Sequence, residues 1–300
     1  MNPYPSYKES GVEWIGEIPS GWILIKLHTL ISTDKIEFQD GNHGGEHPNP
    51  EEFEESGVPF IKPKDIQNGK INWGKCDRLP FDRCERFRIG FSNNDDVLLV
   101  NRGGSIGKVC YVSDFDENCS YFVINPQVTY IRGKNGLLSK FLYYISISNI
   151  FQCGIDLVLG HGSTFPFLGL SNMGDFEIVF PVTIEQQQIV EYLDEQTQKI
   201  DKLIEKTEQK IELLKEKRTS LINHCVTKGL NPNVEMKDSG VEWIGEIPSH
   251  WDITKHKFNI NILSGFPFKS SLFSKENGFP LIRIRDITTG DINTFYEGEY

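Results

Sequence analysis

Eight cations fall between Lys62 and Arg88 (Lys62, Lys64, Lys70, Lys75, Arg78, Arg83, Arg86 and Arg88), against the four acids Asp65, Asp77, Asp82 and Glu85. Trp73, Phe81 and Phe87 are interleaved with them. Cations at this density neutralise phosphates, and the planar fork of arginine pairs with O6 and N7 of guanine. The chemistry suits reading of a duplex. For any one of these residues the competing reading is a solvated charged face. A second candidate is Arg102-Gly103-Gly104-Ser105-Ile106-Gly107-Lys108. As a P-loop it fails, because Arg102 stands where the first glycine belongs and Val109 where Ser or Thr would hold magnesium. It reads as a tight turn between strands. Its backbone amides, with Arg102 and Lys108 at its flanks, are suited to meeting a DNA phosphate.

Catalysis finds no such support. Asn125-Pro126-Gln127-Val128 lacks the aromatic that a nucleotide-base methyltransferase places after Asn-Pro, and no glycine-rich cofactor loop precedes it. The carboxylates from Glu46 to Glu55 lie in a Pro- and Gly-bearing acidic stretch that reads as a solvated insertion. No group of carboxylates followed by lysine forms a nuclease constellation. The histidines, including His43, His47 and His161, and the cysteines 76, 84, 110, 119, 153 and 225 show no metal-ligand spacing. The expectation is free, mostly buried thiols, no metal and no catalytic residue.

The net charge of −11 is unevenly spread: residues 1–60 alone carry 3 basic and 11 acidic side chains. The cationic patch is therefore local, set inside an acidic chain. At 38% apolar and 12% aromatic, 300 residues are enough for about two domains with real cores. No apolar run approaches the ~20 residues of a membrane span, and MNPYPSYKES has no leader pattern. A cytoplasmic protein with no membrane association is the reading.

The elements that must position these residues are mostly short strands. Residues 96–101 and 108–112 read as strands about the Arg102–Lys108 turn, 128–131 as another, and 175–180 as a last strand entering Pro181. Ser139 is placed to cap a helix over 140–151, with Phe141, Leu142, Tyr144, Ile145 and Ser148 on one face. Residues 160–164, Gly-His-Gly-Ser-Thr, read as a flexible loop. The fold class is α+β: a mixed domain over residues 1–182, one long coiled-coil helix over 183–229, and the start of a second, incomplete domain over 230–300.

That organisation rests on a repeat. Residues 10–22, SGVEWIGEIPSGW, return as SGVEWIGEIPSHW at 239–251, and 57–66 return more loosely at 278–287. Arg283 and Arg285 there stand where Lys62 and Lys64 stand in the first copy. The repeated tryptophans, Trp14 and Trp22 with Trp243 and Trp251, read more readily as core anchors than as stacking platforms for bases. Between the copies, Thr183 to Lys228 contains neither Gly nor Pro. Val190, Leu193, Thr197, Ile200, Ile204, Thr207, Ile211, Leu214, Leu221 and Cys225 recur at steps of three and four, and Arg218 interrupts them. This is the seam of a coiled coil, roughly 65 Å long at ~1.5 Å per residue, and it needs another helix to cover it. Thr183 with Gln186 supplies a capping box, and Gly229 with Pro232 a stop.

Together these residues resemble the DNA-specificity (S) subunit of Type I restriction-modification enzymes. The motif from Ser10 to Pro19 with Trp22, the Arg102–Lys108 turn, Gly162-Ser163-Thr164, and Pro181 followed by Glu185-Gln186-Gln187-Gln188-Ile189-Val190 carry the resemblance in order, on a duplication about a long helix. The resemblance implies target-recognition domains that each read half of a split double-stranded DNA site. It implies antiparallel helices as a ruler between them, and no active site in this subunit. Methyltransferase subunits using S-adenosylmethionine and a restriction subunit using ATP and magnesium are the implied partners. The second domain breaks off about 70 residues in, so self-association or a second half-subunit through the long helix is expected. A stand-alone nuclease and a coiled-coil interaction protein remain the competing readings.

Overall fold

The computed structural model describes residues 4–13, 15–115, 119–159, 167–269, 279, 281–282, 287–288 and 291–292. Trp14, the 160–164 loop, Arg283 and Arg285 lie outside them. The chain divides into two units, Met1–Glu208 and Gln209–Tyr300.

The first unit opens on a hairpin of β1 (Tyr7–Glu9) and β2 (Glu17–Pro19), followed by β3 (Ile23–Lys26), α1 (Leu27–Ser32) and β4 (Ile36–Asp40). Next come β5 (Val58–Ile61), β6 (Ile66–Gln67), β7 (Lys70–Ile71), β8 (Asp77–Leu79), α2 (Phe81–Cys84) and β9 (Phe91–Ser92). Then follow β10 (Val97–Val100), β11 (Val109–Tyr111), β12 (Phe122–Ile124) and β13 (Val128–Gly133). The last elements are α3 (Ser139–Ile147), α4 (Asn149–Leu159), α5 (Leu170–Gly174), β14 (Glu177–Phe180) and α6 (Thr183–Lys228). The strands expected from sequence appear as β10, β11, β13 and β14.

Two four-stranded sheets, ordered β11-β10-β13-β4 and β8-β5-β12-β9, make the body. Only β5 and β12 pair in parallel within them. β10 is apolar at every position because both its faces are covered. Val97 and Leu99 pack under α1, α3, α4 and α5, while Leu98 and Val100 face Ile61, Phe122 and Ile124 of the second sheet. The far face of that sheet buries Val58, Phe60 and Val123 with Leu79, Cys84 and Phe87. The result is helices, sheet, sheet and a covering segment, in that order.

Inside the first sheet, Asp96 is fully buried and accepts from Arg132 Nε and Nη2 at 2.6 and 2.7 Å and from Ser92 Oγ at 2.7 Å. Glu37 accepts from Tyr130 at 2.5 Å and pairs with Lys134 at 2.5 Å. Burial pushes the Glu37 carboxyl up, but Lys134, Tyr130 and Arg132 more than offset it and hold it below its ordinary range.

Three local expectations need correction. Ser139 does not cap α3: it is the first helical residue, the cap position is Leu138, and the serine hydroxyl accepts from Gly133 N at 2.9 Å. The helix expected over 140–151 is two helices, because Ser148 is extended and its hydroxyl donates to Ile145 O at 2.6 Å. The Thr183–Gln186 capping box is not formed. Thr183 Oγ1 donates to Gly136 O at 2.7 Å, and the fully buried Gln186 donates to Pro181 O and accepts from Leu138 N, both at 3.0 Å. The pair ties the helix start to the loop before α3.

Helix α6 runs 46 residues, about 69 Å at ~1.5 Å per residue. Gly229 ends it with a positive φ and an N–H to Cys225 O at 3.1 Å. Its first turns belong to the core: Val190 is buried, Leu193 half-buried, and Asp194 accepts from Tyr144 and pairs with Lys140, each at 2.7 Å. Beyond that the apolar seam is bare. Ile200, Ile204, Ile211, Leu214 and Leu221 are all exposed, as are Leu203, Leu213, Ile222 and Val226. Among the described residues no single helix is long and apolar enough to cross a membrane. The described cysteines are free, but only Cys84 and Cys110 are buried, and burial pushes their thiols up to about 11 and about 12.

In the second unit β15 (Met236–Asp238) pairs with β16 (Glu246–Pro248) in the register of β1 with β2. β17 (Ile287–Thr288) and β18 (Asp291–Ile292) repeat the register of β6 and β7 at the offset of 221 seen in the sequence. Trp243 is 84% exposed, which overturns its assignment as a core anchor; Trp22 and Trp251 are half-buried.

Candidate nucleic-acid interface

The sheets bring four separate stretches to one end. Where β5 and β12 finish, Asn125 N donates to Ile61 O at 3.0 Å. The turn 125–127 then leads into β13, and Asn101 N, at the finish of β10, donates to Gln127 O at 3.0 Å. Gly41 approaches the backbone of Ile124 so closely that a Cβ there would lie 2.0 Å from its carbonyl oxygen. Asn42, next along, accepts from Arg88 N at 3.2 Å and donates to Ile89 O. The same end therefore carries Lys62 and Lys64 after β5, Arg88 before β9, Gln127 before β13, and Arg102 and Lys108 on the β10–β11 turn.

That turn is closed by Gly107 N to Val100 O at 3.0 Å and Ile106 N to Gly103 O at 3.1 Å. Gly103 and Gly107 have φ of 83° and 85°, and a Cβ on Gly107 would meet Gln152 at 2.9 Å. Glycine is thus needed for conformation and for close packing. Arg102 lies over the ring of Phe167 at 4.2 Å, and its buried Nε has no partner among the described residues. Phe167 is itself about half exposed. The pair presents a guanidinium and an aromatic face together, both suited to a nucleotide.

The fold does not keep the eight cations of 62–88 together. Lys64, Lys70, Lys75, Arg86 and Arg88 are exposed, as is Lys108; Lys62 and Arg78 are half-buried. Lys62 and Lys64 share one carboxylate, with Asp77 Oδ2 at 2.7 and 3.3 Å, and Lys62 also lies 4.1 Å above the Phe53 ring. Burial raises the Asp77 carboxyl, but the two lysines outweigh it and hold it below the usual range. Arg78 donates to Gly57 O at 3.1 Å, toward the start of β5.

Arg83 departs from the sequence grouping most. Only 7% exposed, it pairs with Glu52 at 2.5 Å and Glu46 at 3.6 Å, donates to Glu46 O at 3.1 Å, and lies over Phe87. It rivets the acidic 46–52 stretch to α2, so that stretch is not a free insertion. Trp73, interleaved with these cations in the sequence, serves the core: its indole N–H donates to Asp114 at 3.1 Å and its ring packs on Phe115 and Phe122. Sequence reasoning missed Phe167 and the exposed Gln127, whose amide suits adenine N6 and N7. Neither had a signal, since only the sheet ends place them beside Arg102. Among the described residues no three His, Cys, Asp or Glu side chains form a metal-binding group.

Comparison with known proteins gives one direction. The family described as the Type I restriction modification DNA specificity domain matches residues 37–213. The MjaVIII specificity subunit of Methanocaldococcus jannaschii is 29% identical over 195 residues, 63% of this chain and 42% of that one. The MjaIX specificity subunit of the same organism is 27% identical over 184 residues, 60% of this chain and 38% of that one. The chain thus spans about two fifths of the length of these relatives. A solved chain of the type I R-M system aligns with a TM-score of 0.56 at 17% identity, covering 75% of this chain and 49% of that one, a likeness of fold.

Proposed function

From the premise that the chain belongs to the Type I restriction-modification DNA specificity family, we propose that it reads one half of a bipartite double-stranded DNA site with the end of the two sheets described above. The observation that carries this reading is the convergence there of Lys64, Arg88, Arg102, Lys108 and Gln127 from four separate segments. Lysines hold register on phosphates, while Arg102, Phe167 and Gln127 are the groups equipped to choose bases. Lys70, Lys75 and Arg86 add exposed charge alongside, and Arg78 and Arg83 serve the fold.

In this reading α6 is the spacer. A stiff helix fixes the separation of two readers better than a flexible linker, whose reach fluctuates with the square root of its length. Its bare seam, from Ile200 to Leu221, is covered by a second helix, in another copy or another half-subunit. Methyltransferase and restriction subunits dock on the assembly in the cytoplasm and bring S-adenosylmethionine, ATP and magnesium; this chain holds no cofactor of its own. The partner enzyme flips the base to be methylated.

The test is protection of a duplex by the chain with its methyltransferase subunit. Binding to one split sequence is expected, weakening steeply with salt. Lys64→Ala and Lys108→Ala each weaken binding alike on all sequences and lower the salt slope by about one, while Gln127→Ala relaxes preference at one position. Equal affinity for every duplex overturns the reading, and cutting of plasmid by the chain alone with magnesium favours a nuclease.

A further inference from the structure

Three asparagines are buried at the end of the sheets where the exposed cations gather: Asn42, Asn101 and Asn125 are 6%, 0% and 6% exposed. Both halves of the Asn42 amide hold the backbone of one loop. Its Oδ1 accepts from Arg88 N at 3.2 Å and its Nδ2 donates to Ile89 O. Gly90 fixes the same loop from the other side, its N donating to Gln39 Oε1 at 3.3 Å and its O accepting from Ile124 N at 2.9 Å. With φ at 84° it passes so near the neighbouring segment that a Cβ would lie 2.9 Å from Gly41 Cα. Asn125 does for Gln127 what Asn42 does for Arg88: its Oδ1 accepts from Gln127 N at 2.6 Å. Gln127 O in turn accepts from Asn101 N at 3.0 Å. Asn101 is tied to Thr129 Oγ1 at 2.7 Å and, through its carbonyl, to Leu168 N at 2.8 Å, beside Phe167.

Arg88 and Gln127 are thus held at the backbone by buried amides, while their own side chains are exposed and pair with nothing among the described residues. Arg83, Arg78 and Lys62 show the reverse, with side chains committed to Glu52, Gly57 O and Asp77. A free head on a fixed root is the arrangement that bidentate base reading needs. Two donors or acceptors must meet two atoms of one base edge, and any backbone play is carried to both. Phosphate contact makes no such demand, because an ammonium on a flexible stem follows its charge.

We infer that Arg88 reads a guanine with its guanidinium fork, and that Asn42 and Asn125 are positioning residues for base selection, acting through Arg88 and Gln127. The inference rests on the proposed reading of this end of the sheets as the DNA interface. It divides the exposed cations there by the way they are mounted. Lys64 and Lys108 serve affinity for any duplex; Arg88 serves the choice among duplexes. The two mounts are one piece, since the Gly90 carbonyl that closes the Arg88 loop bonds to Ile124, the residue before Asn125. The spacing between the two read bases is therefore set by the fold and not by the DNA.

The experiment measures affinity of the intact chain, bound to its methyltransferase subunit, for its split duplex, for duplexes changed at one base pair, and for an unrelated duplex, over a range of salt. Arg88→Lys keeps the charge and the pinned backbone but lacks the fork. It loses discrimination at one G·C pair by about tenfold or more, with the salt slope and the unrelated duplex unaffected. Asn42→Ala loses discrimination at that same pair, and combining it with Arg88→Lys loses no more than Arg88→Lys alone. A residue serving only the fold would weaken every duplex and add to Arg88→Lys. Asn125→Ala acts likewise at the position that Gln127→Ala relaxes, and Asn125→Ser, whose hydroxyl accepts the same N–H, recovers part of the loss. Should Asn42→Ala fail to fold by circular dichroism, Asn42→Asp takes its place, keeping the acceptor for Arg88 N and dropping the donor to Ile89 O. Full discrimination in the folded Asn42 variant, or an additive double variant, overturns the positioning role. Weakening on every duplex in Arg88→Lys, or a salt slope lowered by about one in Arg88→Ala, makes Arg88 a phosphate contact and overturns the base assignment. Equal affinity of wild type for all duplexes removes the DNA reading itself, whatever the variants do.

Discussion

Lys64 and Arg83 carry the same charge in the same sequence cluster, and the fold gives them opposite surroundings. Lys64 stays in water beside Asp77, while Arg83 is enclosed by Glu46, Glu52 and Phe87. Composition revealed that cations were concentrated; it had no means of telling which would find acids from the 46–52 stretch. The shared Asp77 makes a test at this scale. Asp77→Asn frees two lysines of their only described carboxylate partner, so affinity for every duplex rises and the salt slope steepens by about one. Titration against salt reads both, and an unchanged slope removes Lys62 and Lys64 from the interface. Glu37 gives a second test. Its carboxyl is held below the ordinary value, so its contribution to stability is complete above the ordinary carboxylate pKa near ~4.3 and is lost as pH falls through its folded value. Glu37→Gln is therefore destabilised relative to wild type in urea at pH 6, and the gap between the two midpoints closes as pH drops below about 4.

At the scale of elements, the sequence was most legible where periodicity ran long. The bounds of α6 agree with the Gly- and Pro-free run from Thr183 to Lys228, and the strands about the Arg102–Lys108 turn lie where their apolar runs place them. Ends and breaks were less legible, because they were decided by tertiary partners. Gln186 had a stronger claim from Leu138 N and Pro181 O than from its own helix start. Ser148 split a helix with neither Gly nor Pro to announce it. The seam of α6 carries this scale's prediction. Ile211 and Leu214 touch water, so Ile211→Lys with Leu214→Lys costs the isolated helix well under ~1 kcal/mol. It nonetheless abolishes association through the seam, with wild type sedimenting as an oligomer at micromolar concentration and the double variant as a monomer of equal helix content. A wild-type monomer under those conditions removes the seam as an interface.

Across the whole molecule the repeat was legible as two copies, yet the copies are not equally built. The paired hairpins share one register, and β17 with β18 echoes β6 with β7, but no counterpart of β3 forms over residues 252–255. The difference is topological: β3 is held by β14, about 150 residues farther along, and no strand pairs with 252–255 among the described residues. Ile253, Phe258, Ile262, Leu263, Phe266 and Phe268 are left exposed. The three core clusters all lie between Leu27 and Val190, and the buried apolar residues among those described in the second unit are Ile247 and Pro248 alone. Cooperative stability follows buried apolar area, so it resides in the first unit. Deleting residues 230–300 should then leave the urea midpoint and slope of the main transition unchanged, within about 0.5 kcal/mol. Hydrogen exchange should agree: amides of β10, β12 and β13 exchange only on global unfolding in both chains, while those of 252–269 exchange rapidly in the full one. A fall in the midpoint with a smaller slope on deletion would instead mean that the second unit buries apolar surface as part of the same cooperative core.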